Sequence, residues 1–157
     1  MAAVAAIPDD LARTAAFLGG PRLLHGAPRT RLDAHDLLHD GLPGAALAHL
    51  VGAVALLRAP GGEMLERAVG VSLRTYQRHR DAPGRRLNPE QSARAWKFAE
   101  LVARLTALLG SQAEAEAWLE HPQPALDLRR PIDLLSTPAG LDSLQDHLTR
   151  LEYGVYT

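Results

Sequence analysis

The chain has 157 residues, 46% apolar and 22% charged, the balance of one ordinary soluble domain or two small ones and not of a disordered segment. It has no cysteine, which excludes disulfides, thiolate metal sites and a cysteine nucleophile, and no apolar run reaches the roughly 18 residues of a membrane span. The net charge of −1 hides a division: 72–110 carries eight basic residues against three acids and 111–157 three against eight, which fits two different partners.

Met1-Ala2-Ala3-Val4-Ala5-Ala6-Ile7-Pro8 has no basic residue before its short apolar stretch and does not read as a secretory leader. With the missing cysteines this suits a reducing, cytoplasmic location without a membrane. Aromatic residues are only 4%, so Leu, Ala and Val must build the core, and no alternating run is long enough for a sheet. A first helix over 9–18 is stopped by Gly19-Gly20-Pro21, and 21–31 reads as a loop. A short helix over 33–39 ends at Gly41, with Pro43 just beyond. From Pro43, the spacing of Ala46, Leu47, Leu50, Val51 and Val54 predicts a buried helical face, interrupted by Pro60-Gly61-Gly62.

A helix over 63–69 ends at Gly70, and another starts at the N-cap Ser72 and closes at Asp81-Ala82-Pro83-Gly84. Asn88, Pro89 and Gln91 spell a capping box with proline at the first helical position. That helix should run through Trp96, Phe98, Leu101, Val102 and Leu105 to Gly110. Ser111 and Glu114 make a second box for a helix to about 120, broken by His121-Pro122-Gln123-Pro124. Pro131 opens a short helix over Ile132, Leu134 and Leu135, and Thr137-Pro138 opens the last, toward Tyr153 and Gly154. The expected architecture is an all-α helical bundle in three stretches: an extension over 1–40, a helix-turn-helix region over 41–110 and a C-terminal helical unit over 111–157.

Leu65, Val69, Val71 and Tyr76 have the spacing of two short helices packed across a tight turn. Gly70 fits the turn's positive φ, Val71 plugs the gap and Ser72 caps the second helix. The outer face of that helix would carry Ser72, Arg74, Thr75, Gln77, Arg78 and Arg80, with hydroxyls and arginines suited to phosphates and Gln and Arg suited to base edges. Arg85, Arg86 and Arg94 add charge where backbone contacts commonly flank a recognition helix. Glu66 stands where such units normally need a small residue, which points to a shifted first helix or a degenerate unit. The alternative is a solvated basic face on an ordinary helix hairpin. Half-sites about 34–36 Å apart would require a homodimer.

Two of the three tyrosines, Tyr153 and Tyr156, lie close together with Gly154 and Val155 between them. Such a segment either folds back on its own core or fills a pocket of another protein, and the acidic balance favours a basic protein cleft over DNA. Other temptations are weaker. His35 and His39 with Asp36 have the spacing of a zinc helix but no evident third ligand. Gly70-Val71-Ser72 is half of a nucleophile elbow with Arg74 where glycine should close it, and Pro60-Gly61-Gly62 is no phosphate loop. Trp96, Phe98 and Trp118 read as core. No catalytic residue, metal or cofactor is expected.

Three runs carry a family resemblance in the front part: Gly41-Leu42-Pro43, then 70–78 (GVSLRTYQR), then 87–94 (LNPEQSAR). Ala117-Trp118-Leu119, Pro124-Ala125-Leu126, 130–140 (RPIDLLSTPAG) and 150–156 (RLEYGVY) continue it. In that order and spacing, over about 41–157, the chain resembles the Xre/ParS/MbcA antitoxins, whose C-terminal domain binds a toxin. The resemblance implies a RES-domain toxin as partner, of a fold related to ADP-ribosyltransferases that consumes NAD. It further implies an antitoxin that plugs the toxin's NAD entrance with its C-terminal region and binds its own promoter. The plug role falls on Arg150, Tyr153, Gly154, Val155, Tyr156 and Thr157. Tyrosines would anchor it, and either Arg150 or the carboxylate of Thr157 would supply a charged contact. Asp127-Leu128 stands where the family more often has a Gly-Gly-like turn, and 57–66 is atypical. The other function considered is a stand-alone helix-turn-helix repressor whose C-terminal segment only dimerises.

Overall fold

Helix starts in this chain are set by side chains that capture unpaired first-turn N–H groups. In the computed structural model, which describes residues 9–154, the Asn88 carboxamide accepts from Gln91 N–H at 2.7 Å and the Gln91 side chain accepts from Asn88 N–H at 3.1 Å. Ser72, Ser111 and Thr137 each cap a helix by accepting from the backbone three residues on, at 3.0–3.1 Å. Thr30 does the same with Asp33, and Asp33 returns the bond to Thr30 N–H at 3.1 Å, a box built on Asp that the sequence reading passed over.

The helices are α1 (Asp9–Phe17), α2 (Gly20–Leu24), α3 (Arg31–Asp40), α4 (Gly44–Ala53), α5 (Glu63–Val69), α6 (Leu73–Asp81), α7 (Pro89–Leu109), α8 (Gln112–Glu120) and α9 (Pro138–Glu152). Short 3-10 helices occupy Ala55–Arg58, Pro60–Gly62, Pro124–Leu126 and Pro131–Ser136. The described residues contain no strand, and the all-α expectation holds.

Three local expectations need correction. Gly19-Gly20-Pro21 ends α1 and also starts α2, because Gly19 turns the chain at φ 98° and a proline in the first helical turn has no N–H to satisfy. The helix from Pro43 stops at Ala53, before the Pro60 interruption, since Val54 is extended (φ −116°, ψ 104°). Arg58 then donates to the freed carbonyls of Val51 and Gly52 at 2.9 and 2.6 Å. The short helix after Pro131 is of 3-10 type.

One continuous core runs from Leu11 in α1 to Leu148 in α9. Its axis is α7, whose buried Trp96, Phe98, Leu101, Val102 and Leu105 face α1, α3, α5 and α8, as the three-and-four spacing requires. The 3-10 helix Pro131–Ser136 packs on α5, α8 and α9. α4 lies on α6 so closely that a Cβ on Gly44 would stand 2.7 Å from the His79 carbonyl. This contact orients α6, and the bonds from Gly44 and Ala45 N–H to the Arg85 and Pro83 carbonyls, at 2.8 and 3.0 Å, fix the chain that follows it.

Candidate functional site: a basic helix and a C-terminal edge

The turn between α5 and α6 is built as its residues suggest. Gly70 sits at φ 71°, its N–H closing α5 on the Glu66 carbonyl at 2.8 Å, while Leu65, Val69 and Val71 are buried and Tyr76 is half-buried. Glu66 is exposed, and Ala68 is the small buried residue of α5. Of the expected face, Ser72, Arg74, Gln77, Arg78 and Arg80 are exposed; Thr75 is half-buried, its hydroxyl accepting from Ser72 Oγ at 3.0 Å. Arg80 lies 3.6 Å from Asp81 and over the Tyr76 ring. His79 faces inward toward α4, its Nδ1 3.3 Å from the Arg85 carbonyl. The result is a charged outer face on a helix held from behind, a shape suited to a nucleic-acid groove.

The downstream arginines divide. Arg85 is exposed, but Arg86 donates to the Gly41 carbonyl at 2.8 Å. Arg94 lies against Gly70 and donates to the carbonyls of Arg67 and Leu135 at 2.8 and 3.2 Å. Burial pushes the Arg94 guanidinium below its ordinary pKa, an effect Glu90 opposes. Arg94 therefore braces the fold, contrary to the sequence expectation, whereas Arg86 stays exposed with one N–H engaged on Gly41. A second brace joins α5 to the C-terminal part: Asp133 takes a two-pronged contact from Arg130, both bonds at 3.0 Å, and a further one from Arg67. Those bonds hold the Asp133 carboxyl below the usual carboxylate range, Arg130 first.

At the other end, α9 buries Leu144, His147 and Leu148 and exposes Arg150. Its last turn is pinned to α7 by Arg104, which forks onto Glu152 at 2.6 and 3.0 Å and reaches Thr149 at 2.8 Å. The fork lowers the Glu152 pKa, chiefly by hydrogen bonding. Tyr153 then stands 80% exposed, and Gly154, at φ 70°, is exposed beside it. Tyr153 is not folded back onto the core. Val155, Tyr156 and Thr157 lie outside the described residues.

One feature escaped the sequence reading: His147 is buried with its ring parallel to Trp118 at 6.1 Å, and burial lowers its pKa, as does Arg150. Asp127-Leu128, noted in place of a Gly-Gly-like turn, indeed takes positive φ at both residues, and Leu128, at φ 61°, is 69% exposed. The His35 and His39 rings stack at 6.2 Å, and among the described residues no group of three His, Cys, Asp or Glu assembles as a metal site. Nor is any described helix long and apolar enough to cross a membrane.

Comparison with known proteins assigns both regions. Residues 33–100 match the antitoxin Xre-like helix-turn-helix domain, and residues 104–154 match the antitoxin Xre/MbcA/ParS C-terminal toxin-binding domain. The chain is 34% identical over 99 residues to the antitoxin Xre of Yersinia enterocolitica, covering 62% of this chain and 66% of that protein, just under two thirds of the relative's length.

Proposed function

Because the chain belongs to the Xre/MbcA/ParS antitoxin family, we propose that it is the antitoxin of a toxin–antitoxin pair, acting in the cytoplasm on a RES-domain toxin. Its segment 150–157 occludes the toxin's NAD entrance, and its α6 face reads the operator of its own operon as a homodimer. No chemistry is required of it. Blocking a cavity needs only a shaped apolar segment on a rigid support, and apolar area buried there contributes about 25 cal/mol per Å².

The observation that carries this reading is Tyr153, an 80% exposed aromatic at the end of a helix whose last turn is clamped by Arg104 and Glu152. Folding alone gives no reason to expose it, and aromatic anchors of this kind dominate protein interfaces. The test is co-expression with a RES-domain toxin, sought first in the reading frame next to its own. The full chain should restore growth, and deletion of 153–157 should abolish rescue while the variant remains folded and DNA-bound. Full protection by the truncated chain would overturn the plug and favour the repressor reading.

A further inference from the structure

Among the described non-glycine residues, positive φ occurs at His25 and at the adjacent pair Asp127 and Leu128, with φ 55° and 61°. Aspartate tolerates the left-handed region through its short polar side chain; leucine gains nothing there and pays steric strain. The surrounding loop enforces the conformation. Leu128 N–H donates to the Gln123 carbonyl at 2.9 Å, Gln123 N–H to the Arg129 carbonyl at 3.0 Å, and Arg129 N–H to the Leu126 carbonyl at 3.1 Å. The Gln123 side chain ties the loop to the His121 and Trp118 carbonyls at 3.1 and 3.3 Å.

The enforced geometry turns the leucine outward, 69% exposed. For folding alone this is a poor arrangement, since the backbone is strained and the side chain buries little. Glycine would relieve the strain at almost no packing loss. Strained positions of this kind cluster at sites that act on a second molecule.

Its surroundings indicate which molecule. The residues around Leu128, though not Leu128 itself, line one cleft of about 350 Å³: Leu126, Asp127 and Arg129 of the loop with Ser143, Asp146 and Arg150 of α9. Tyr153 follows Arg150 by three residues, on the same side of the helix. The loop is thus continuous with the edge that carries the exposed tyrosine, and both lie within the stretch matching a toxin-binding domain.

Building on the antitoxin reading above, we infer that Leu128 is a second anchor for the same RES-domain toxin, seated in an apolar pocket on its surface outside the NAD cavity. The plug blocks the cavity; the leucine helps decide which toxin is accepted.

Three variants of the full chain test this against the RES-domain toxin that the parent chain neutralises, by calorimetric titration, with thermal melting of each variant alone. Leu128→Gly and Leu128→Asn, both tolerant of positive φ, should melt no lower than the parent chain yet bind at least tenfold more weakly. Leu128→Met should bind within about threefold of the parent. Parent-like binding by Leu128→Gly overturns this inference and leaves the antitoxin reading intact. A fall in melting temperature that accounts for the weaker binding of both Gly and Asn variants also overturns it, as does a change in the sedimentation of the chain alone. No binding by the parent chain overturns both readings.

Discussion

Replacing Gly70 with alanine tests how the turn and the C-terminal part are joined. A Cβ on Gly70 would fall 2.2 Å from Arg94 Nη1, so the guanidinium must move, and the backbone, at φ 71°, is left-handed. Left-handed strain for a non-glycine residue costs about 1–2 kcal/mol. Moving Arg94 endangers its bonds to the Arg67 and Leu135 carbonyls. Each such charged bond is worth about 1.5–3 kcal/mol, and partial exposure of Arg94 argues for the lower end and for losing one. The expected sum is about 2.5–3.5 kcal/mol, or a fall of about 5–14 °C in melting temperature for a chain of this size. In an Arg94→Met background the same substitution should cost only the strain, so a double-mutant cycle by urea denaturation should show coupling of about 1.5 kcal/mol. Equal penalties in both backgrounds would refute the seating of Arg94 on Gly70.

Other expectations follow from the same geometry. Binding of the chain to its own promoter fragment, followed by anisotropy against salt, should lose about 0.9 from its log–log slope for each of Arg74→Ala and Arg78→Ala, whereas Arg94→Met should leave the slope unchanged. Asp133 and Glu152 are held below the usual carboxylate pKa, so the unfolded chain takes up these protons first; their stabilisation is full above the ordinary carboxylate range and fades as pH falls through it toward the folded values. Arg104→Met should flatten part of that decline in urea midpoints measured down to about pH 3. His147 is likewise lowered, by burial, so its contribution is complete above about 6.5 and is lost as pH drops below that; His147→Leu should remove this slope below about pH 6.5.

Where a residue's role is local, the sequence was legible. Asn88 and Gln91 announce α7, Ser72 announces α6, and Gly70 announces the turn, because caps and positive φ are decided within three or four positions. Gly19-Gly20-Pro21 misled because the same residues that end one helix can begin the next. Arg94 misled for a different reason. Its charge counts the same whether it faces solvent or two carbonyls distant in sequence, and only the packing of Pro131–Ser136 against α5 decides between them. The same holds for the candidate site. The outer face of α6 follows from helical spacing, whereas the exposure of Leu128 depends on a hydrogen-bonded loop that no periodicity encodes.

α7 runs for 21 residues with apolar side chains in one interior that also contains Leu65 and Leu119. Cleavage near Gly110 would strip cover from Leu101 and Leu105 and, with it, the support beneath the turn. The chain after Gly110 thus holds the turn between α5 and α6 from behind through α8 on α7 and Pro131–Ser136 on α5, so loss of either part costs the other its cover.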